Sequence, residues 1–325
     1  DLFFPLVEFF QFPKWCGIPT IPYPTVTRAK PKRNSNSPHE FRSPPPMEGY
    51  KMKQYISRGA QAETYIAEDL KTHKDVVLKI AHKAAMNPAQ LRNMQQEQLI
   101  LSRLESEFIV KQLGFFETDS EVVSVLEFAP YGDMERQIQK QKSPLKESVL
   151  ITWFMELLLG LRHIHSKSIV HRDIKLSNIV MVDDPKYQNC KAMICDFGVS
   201  KICEDEMNQT VVGTPYYMSP QVCQSAPYSK KTDVYSLGVV FYRLLTFEYP
   251  FYAGNNVALK LRILAGDAPD IKTGYDEGLK KMVMWMLSPQ EETRPSVDEL
   301  LRLEIFESRL EHYGYADEAL VETVQ

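Results

Sequence analysis

The sequence predicts an α+β fold built from two lobes, a small β-rich lobe followed by a larger, mostly helical one. Between about residues 50 and 128 most segments are predicted to be short strands, with one main helix among them. After Ala129-Pro130-Tyr131-Gly132 the pattern becomes mostly helical until about residue 310. The 325 residues, 44% hydrophobic and 25% charged, suffice for one large domain or two small ones. Ligands tend to bind where such lobes meet.

Residues 1–48 are predicted to be a disordered or uncertain extension outside the folded domain. Residues 1–24 are rich in aromatic residues and prolines, but they lack a basic leader and contain Glu8, so they make a poor signal peptide. Residues 28–46 are basic and rich in Ser, Asn and Pro, which favours a linker. The start at Asp1 suggests a fragment or an uncertain gene start.

The folded domain is expected over residues 49–310, with an N-lobe at about 49–128 and a C-lobe at about 132–310. Strands are predicted at residues 50–56, 64–67, 76–80, 109–117 and 121–128, and a helix at 82–104. The helix has a start signal, because Asn87 suits the N-cap, Pro88 the first helical position and Gln90 the return bond of a capping box. Residues 311–325 are acidic and are expected to fray.

Composition argues against several classes of function. A net charge of −4 gives no general attraction for nucleic acid. The five cysteines form no C-x-x-C pair and have no zinc spacing, which predicts reduced thiols in a cytoplasmic protein. The apolar runs 149–161 and 234–247 contain Glu156 and Arg243 and are shorter than the ~20 residues of a membrane span, so buried helices are expected. The basic cluster at residues 28–33 is interpreted as a solvated charge run, with a nuclear-import signal as the alternative.

The strongest chemical signal is one short loop, His171-Arg172-Asp173-Ile174-Lys175-Leu176-Ser177-Asn178. It places an acid, a Lys two residues later and an Asn five residues later between a helix and a strand. Phosphoryl transfer passes through a highly charged transition state, so positioning and electrostatics supply most of the catalysis. In that reaction Asp173 would orient the hydroxyl proton, Lys175 would neutralise the γ-phosphate and Asn178 would hold Mg²⁺.

Eighteen residues after Asn178, a predicted strand at 192–195 ends in Asp196-Phe197-Gly198. An acid at a strand end followed by Gly suits a ligand for a hard cation on a mobile segment. The tripeptide alone is a weak signal, since Asp-x-Gly turns are common. Following the loop at 171–178, it becomes a strong one.

Together these motifs resemble those of the eukaryotic protein kinases, over residues 50–310. The resemblance implies the bilobal protein kinase fold, ATP and Mg²⁺ as cofactors, and protein substrates with Ser or Thr acceptors. By position, it implies that Lys79 binds the α- and β-phosphates and that Glu97 forms an ion pair with Lys79. It also implies that Asp196 binds Mg²⁺ and that Asp233 anchors the catalytic loop. It assigns the other nucleotide contacts to the phosphate-covering loop and the hinge, at Ile56, Ser57, Gly59, Ala62, Thr64, Glu127, Ala129 and Asp133.

Within this resemblance, Lys175 and Gly213-Thr214-Pro215 indicate serine or threonine acceptors rather than tyrosine. Thr214 would hydrogen-bond towards Asp173 and Lys175 and so position the substrate. Residues 213–220, 250–256, 261–271 and 293–297 are similar to the NIMA-related (Nek) kinases. Calcium/calmodulin-type and other Ser/Thr branches share parts of these segments and are the alternative.

Regulation is expected just before Gly213. Arg172 is a cation that needs an anion, and Lys201 matches the family's second basic contributor. Thr210 stands where phosphorylation would supply a charge of about −1.5 to −2, delivered by an upstream kinase or by another copy acting in trans. The alternative is that Thr210 is an exposed loop residue without this role.

Two departures from the family pattern affect the expected behaviour. In the phosphate-covering loop only Gly59 of three glycines remains, with Ser57 and Ala62 at the other positions. Their Cβ atoms would crowd the phosphates, and a left-handed Ala62 would cost ~1–2 kcal/mol, so a raised KM for ATP is expected. Gln221 replaces a Glu that would pair with Arg294, so a less stable C-lobe is expected.

The expected function is therefore that of a protein serine/threonine kinase. The alternative is a pseudokinase that serves as a nucleotide-binding or scaffolding module, which the lost glycines favour. An intact catalytic set favours the enzyme, because a chain released from catalysis need not keep it: Lys79, Glu97, Asp173, Asn178 and Asp196. A small-molecule kinase is a more distant alternative, since residues 213–220 resemble a peptide-binding segment.

Overall fold

The N-lobe is a five-stranded antiparallel sheet with one helix against it. The computed structural model describes residues 47–58, 62–141, 143–184, 189–198, 200–202 and 215–315. The strands run in the order β1-β2-β3-β5-β4. Their bounds are β1 Tyr50–Arg58, β2 Glu63–Asp69, β3 Lys74–His82, β4 Gln112–Glu117 and β5 Glu121–Glu127, and helix α1 is Pro88–Leu101. Lys79 lies on β3 between Thr64 of β2 and Ser124 of β5, so it occupies the middle of the sheet.

The capping box of helix α1 lies where the sequence predicts, but the helix is shorter than the predicted span. The Asn87 side chain accepts a hydrogen bond from the Gln90 amide at 3.0 Å, and the Gln90 side chain accepts one from the Asn87 amide at 2.8 Å, which confirms the capping box. The predicted span of residues 82–104 was wrong at both ends, because Lys83–Ala85 form a separate 3-10 turn and the helix stops at Leu101. A proline disfavours helical backbone at the preceding residue, so the helix cannot continue through Asn87.

The segment before β4 joins the two lobes instead of extending the strand. A strand was predicted from residue 109, but β4 begins at Gln112. The Val110 amide donates to the Ile194 carbonyl at 2.9 Å, and the Ile194 amide donates to the Phe108 carbonyl at 2.8 Å. Backbone groups committed to the C-lobe in this way are not available to β5.

The C-lobe is mostly helical and is built around α3 and α5. Its helices are α2 Met134–Gln139, α3 Glu147–Ser166, α4 Pro220–Cys223, α5 Lys231–Thr246, α6 Asn256–Ala265, α7 Glu277–Met286, α8 Val297–Leu301 and α9 Glu304–Tyr313. Two strand pairs complete it: β6 Ile169–Val170 with β9 Lys201–Ile202, and β7 Ile179–Asp184 with β8 Asn189–Ile194. This mixed two-lobed architecture confirms the predicted α+β class.

Both apolar runs that the sequence flagged lie in these buried helices. The rings of Phe154 on α3 and Phe241 on α5 stack with centroids 3.6 Å apart. Glu156 interrupts the apolar surface of α3 because its carboxylate accepts the Ala192 amide of β8 at 2.8 Å. Arg243 interrupts α5 because it pairs with both carboxylate oxygens of Glu135, at 2.6 and 2.7 Å. Within the described ranges, no helix is both long and apolar enough to cross a membrane.

Candidate active site

A partly buried lysine between two carboxylates forms the N-lobe half of the site. The Nζ of Lys79 lies 2.7 Å from Glu97 Oε1 and 3.0 Å from Asp196 Oδ1. Although burial opposes its charge, the two carboxylates raise the pKa of Lys79. In turn, Lys79 lowers the pKa of Asp196 to about 2. Lys79 and Asp196 therefore remain charged at neutral pH, and the cation fixes α1 and residue 196 relative to β3.

The loop after β6 brings three functional side chains into one cluster. Asp173 Oδ2 lies 2.6 Å from Lys175 Nζ and 3.1 Å from Asn178 Nδ2. The Asn178 side-chain amide also donates to the Asp173 carbonyl at 3.0 Å, so it closes the loop on itself. The Cys195 amide donates to the Asn178 carbonyl at 2.9 Å, which ties the loop to the residue before Asp196.

Asp233, at the start of α5, holds the backbone of this loop in place. Its side chain is fully buried and accepts the amides of His171 and Arg172, at 2.9 and 2.8 Å. His165 donates a third hydrogen bond at 2.9 Å. Burial opposes ionisation of Asp233, yet these donors lower its pKa. The hydrogen bond from the Arg172 amide to Asp233 also holds Arg172 in a left-handed conformation with φ of 67°. A non-glycine residue adopts this conformation only when its surroundings impose it.

The segment at residues 195–198 is fixed by its backbone and by one buried ring. Asp196 has a left-handed φ of 64°. Phe197 is buried and meets the His171 ring edge to face, with centroids 4.7 Å apart. A Cβ at Gly198 would lie 3.3 Å from Asp196 Oδ1, a tight contact that would require the carboxylate to shift by a few tenths of an ångström.

The predicted hinge residues lie at the end of β5 and the start of α2. The Glu127 amide donates to the Lys111 carbonyl at 2.9 Å. Ala129 is buried and its carbonyl accepts the Gly132 amide. Asp133 caps α2 by accepting the Arg136 amide at 2.9 Å, and burial raises the pKa of its carboxyl. The Asp133 carboxylate is thus already engaged by its own helix.

The predicted residues of the phosphate-covering loop lie on both sides of its turn. Ile56 and Ser57 lie near the end of β1, and Thr64 lies on β2 directly opposite Lys79. Ala62 is 8% exposed and belongs to a small apolar cluster with Ala81, Met94 and Val122. Its methyl group therefore packs into the N-lobe. Three predicted residues lie outside the described part of the chain: Gly59, Thr210 and Thr214. The side chain of a fourth, Lys201, also lies outside it.

Sequence reasoning missed one residue of this site and anticipated one contact outside it. His165 donates to Asp233 across 68 positions, and no local motif marks it. The predicted contact between Gln221 and Arg294 is present, with Arg294 Nη2 3.0 Å from Gln221 Oε1. Arg294 is 1% exposed and makes its remaining hydrogen bonds to the carbonyls of Ser288, Pro289 and Lys231.

Comparison with known proteins identifies the family. The sequence model of the protein kinase domain matches residues 50–306. The chain is 32% identical over 276 residues to serine/threonine-protein kinase Nek5 of Mus musculus, covering 83% of this chain and 42% of the relative. It is 30% identical over 270 residues to Nek1 of Mus musculus, covering 82% and 22%. With nekl-2 of Caenorhabditis elegans it shares 29% over 266 residues, covering 78% and 73%.

These comparisons confirm the predicted resemblance to NIMA-related kinases. The chain spans less than half the length of the two mouse relatives, so the match concerns their kinase domains. The match of the protein kinase domain to residues 50–306 agrees with the two-lobed fold. It also agrees with the clusters around Lys79 and Asp173. The chain belongs to the protein kinase family.

Proposed function

We propose that this chain transfers the γ-phosphate of ATP to serine or threonine hydroxyls of protein substrates. The observation that carries the proposal is that two charged clusters meet at Asp196. Lys79 holds Asp196 from the N-lobe, and the hydrogen bond from Cys195 to Asn178 links it to the loop of Asp173. Groups far apart in sequence thus form one polar cleft of fixed geometry, which is what phosphoryl transfer requires.

The donor groups in this cleft fit Mg-ATP. Mg²⁺ is usually held by one or two carboxylates together with substrate phosphates, and Asp196 supplies a carboxylate that stays ionised. Among the described residues, both hydrogen bonds of the Asn178 side chain use Nδ2, which leaves Oδ1 as its donor atom for a cation. Bound Mg²⁺ would neutralise charge on the phosphates. Lys79 would bind phosphate oxygens while Glu97 keeps its ammonium in place.

Asp173 and Lys175 would act on the acceptor side. Asp173 is positioned to accept a hydrogen bond from a substrate hydroxyl and to take its proton as the bond to phosphorus forms. Lys175, 2.6 Å from Asp173, would place a cation beside the transferred group. Thr214, as the resemblance implies, would orient a short hydroxyl side chain, which favours Ser and Thr over Tyr.

Control by phosphorylation is part of the proposal. A phosphate on Thr210, added by an upstream kinase or by a second copy, would pair with Arg172 and Lys201. These contacts would order the segment that carries Thr210. Arg172 is already fixed at its backbone by Asp233, so a new contact to its side chain would act directly on the catalytic loop.

The second candidate is a nucleotide-binding scaffold without turnover, which the exposed Ser57 in the phosphate-covering loop favours. One experiment separates the two. The purified chain is incubated with Mg²⁺ and γ-labelled ATP and with casein or myelin basic protein, followed by phosphoamino-acid analysis. We expect label on phosphoserine or phosphothreonine that is lost on chelation and in Asp196→Asn. A folded sample already phosphorylated on Thr210 that binds ATP but transfers no label would establish the scaffold instead.

A further inference from the structure

Helix α1 presents a partly polar surface to the sheet. Met94, Glu97, Gln98 and Leu101 follow the spacing i, i+3, i+4, i+7 of one helix face, and each is less than 10% exposed. The two central members of this stripe are polar. An apolar stripe can tolerate small rotations of a helix, whereas a buried polar side chain must find its specific partners. The orientation of α1 therefore depends on what Glu97 and Gln98 contact.

The amide of Gln98 is bonded at both ends to the sheet. Its Nε2 donates to the hydroxyl of Ser124 at 2.7 Å, and its Oε1 accepts from the Gln112 side chain. Ser124 on β5 is 1% exposed and Gln98 is 8% exposed, so water cannot readily replace either partner. Gln112 lies on β4, so one side chain of α1 is bonded to two strands.

Register places this contact directly beside the ion pair. Ser124 lies opposite Lys79 in the pairing of β3 with β5, and residues directly opposite share one face of a sheet. Glu97 and Gln98 are consecutive on the helix. Two neighbours on α1 are therefore bonded to two neighbours on the sheet, Glu97 to Lys79 and Gln98 to Ser124. A rotation of α1 that separates Glu97 from Lys79 must also break the Gln98 bonds.

We propose that Gln98, Ser124 and Gln112 form a polar clamp of positioning residues that holds Glu97 against Lys79. The proposal rests on the phosphotransfer function put forward above, and none of the three residues touches the reacting groups. Moving α1 away from the sheet would break the bonds of the Gln98 amide to Ser124 and Gln112. Loss of one such bond shifts an equilibrium by roughly ten-fold, so the clamp keeps the helix in the orientation that fixes Lys79.

The test removes the clamp and leaves only the partly exposed Gln112 amide, which water can reach, without its partner. The double variant Gln98→Met with Ser124→Ala replaces two buried polar partners by apolar groups of similar shape, a change that is often nearly neutral for stability. We expect the melting temperature to change little, kcat to fall roughly five- to ten-fold, and amide hydrogen exchange in residues 94–101 to become about ten-fold faster. Ser102→Ala is the matched control, because its hydroxyl donates to the Leu99 carbonyl within the helix and touches no strand.

A mutant cycle decides whether the clamp acts through Glu97. In a Glu97→Gln background, the clamp variant should lower kcat no further, since the contact that it supports is already lost. Losses that multiply in the combined variant would overturn the proposal, as would unchanged exchange in residues 94–101. If the double variant does not fold, Ser124→Ala compared with Ser124→Thr, which keeps the hydroxyl, makes the same comparison. Hydrogen exchange needs no catalysis, so it tests the clamp even if the proposed phosphotransfer fails.

Discussion

At the residue scale, His171 illustrates how contacts set a charge state. Its ring is fully buried, and burial lowers its pKa. The Asp173 amide donates to Nδ1 at 3.3 Å, and Nε2 lies 3.3 Å from the Cys195 carbonyl. These two contacts assign the proton to Nε2 in a neutral imidazole. A second proton on Nδ1 would remove the acceptor for Asp173, so the neutral ring is part of the loop's structure.

The first prediction concerns the pH dependence of stability. Because the folded pKa of His171 lies below its unfolded value near 6.5, the unfolded chain binds more protons as the pH falls through that value. Stability should therefore decrease from pH 7 to pH 5, with up to ~1.4 kcal/mol per pH unit from this group. Urea unfolding of wild type and His171→Phe at both pH values measures it. An equal pH dependence in the two proteins would contradict this assignment.

Arg294 is a second residue whose environment leads to a prediction. Burial lowers its pKa to about 10, and within the described residues its hydrogen bonds go to backbone carbonyls and to Gln221. Gln221→Glu would give this cation a charged partner at the 3.0 Å contact. The substitution also removes the hydrogen bond that Gln221 Nε2 donates to the Pro289 carbonyl at 2.8 Å, so we expect a net gain of at most about 1 kcal/mol, or ~2–4 °C in Tm, with kcat unchanged.

Gln224→Glu is the matched control for that substitution. It adds the same charge at an exposed position three residues further along the chain, and it should leave the Tm nearly unchanged. A Gln221→Glu protein that melts no higher than Gln224→Glu would show that the neutral contact already satisfies Arg294. Differential scanning calorimetry on the three proteins makes the comparison.

At the element scale, the phosphate-covering loop departs from the expectation that both side chains crowd the phosphates. Ala62 points its methyl into the cluster of Ala81, Met94 and Val122, whereas Ser57 near the end of β1 is exposed. Ala62→Gly should therefore destabilise the N-lobe by about 1 kcal/mol and leave the KM for ATP within roughly two-fold. Ser57→Gly should lower that KM. ATP titrations of the two variants test this, and a ten-fold lower KM in Ala62→Gly would restore the crowding interpretation.

Elements defined by local chemistry were predicted best. The capping box of α1 depends on Asn87 and Gln90, which are three positions apart, so the sequence alone reveals it. The start of β4 depends instead on whether the backbone of residues 108–110 bonds to β5 or to Ile194. That choice is made by the docking of one lobe on the other. Periodicity within a segment carries no information about it.

At the scale of the whole molecule, the same distinction separates what was predicted from what was missed. The loop at 171–178 carries its chemistry in eight consecutive residues, so it can be recognised directly. Lys79 and Asp196 are 117 positions apart, and only the resemblance to a family connected them. His165 with Asp233 and Gln98 with Ser124 are 68 and 26 positions apart and belong to no motif. Such polar contacts become visible only when the fold brings them together.

Whether the assembled cleft transfers phosphate can be decided from the initial rate of label transfer from Mg-ATP to casein by Asp173→Asn. The control is Asp267→Asn, which makes the same change at an exposed loop position after α6. We expect a loss of at least about 10³-fold for Asp173→Asn and no significant change for Asp267→Asn. Equal transfer by Asp173→Asn and the wild-type chain would contradict the role given to Asp173 and, with it, the proposed function of the cleft.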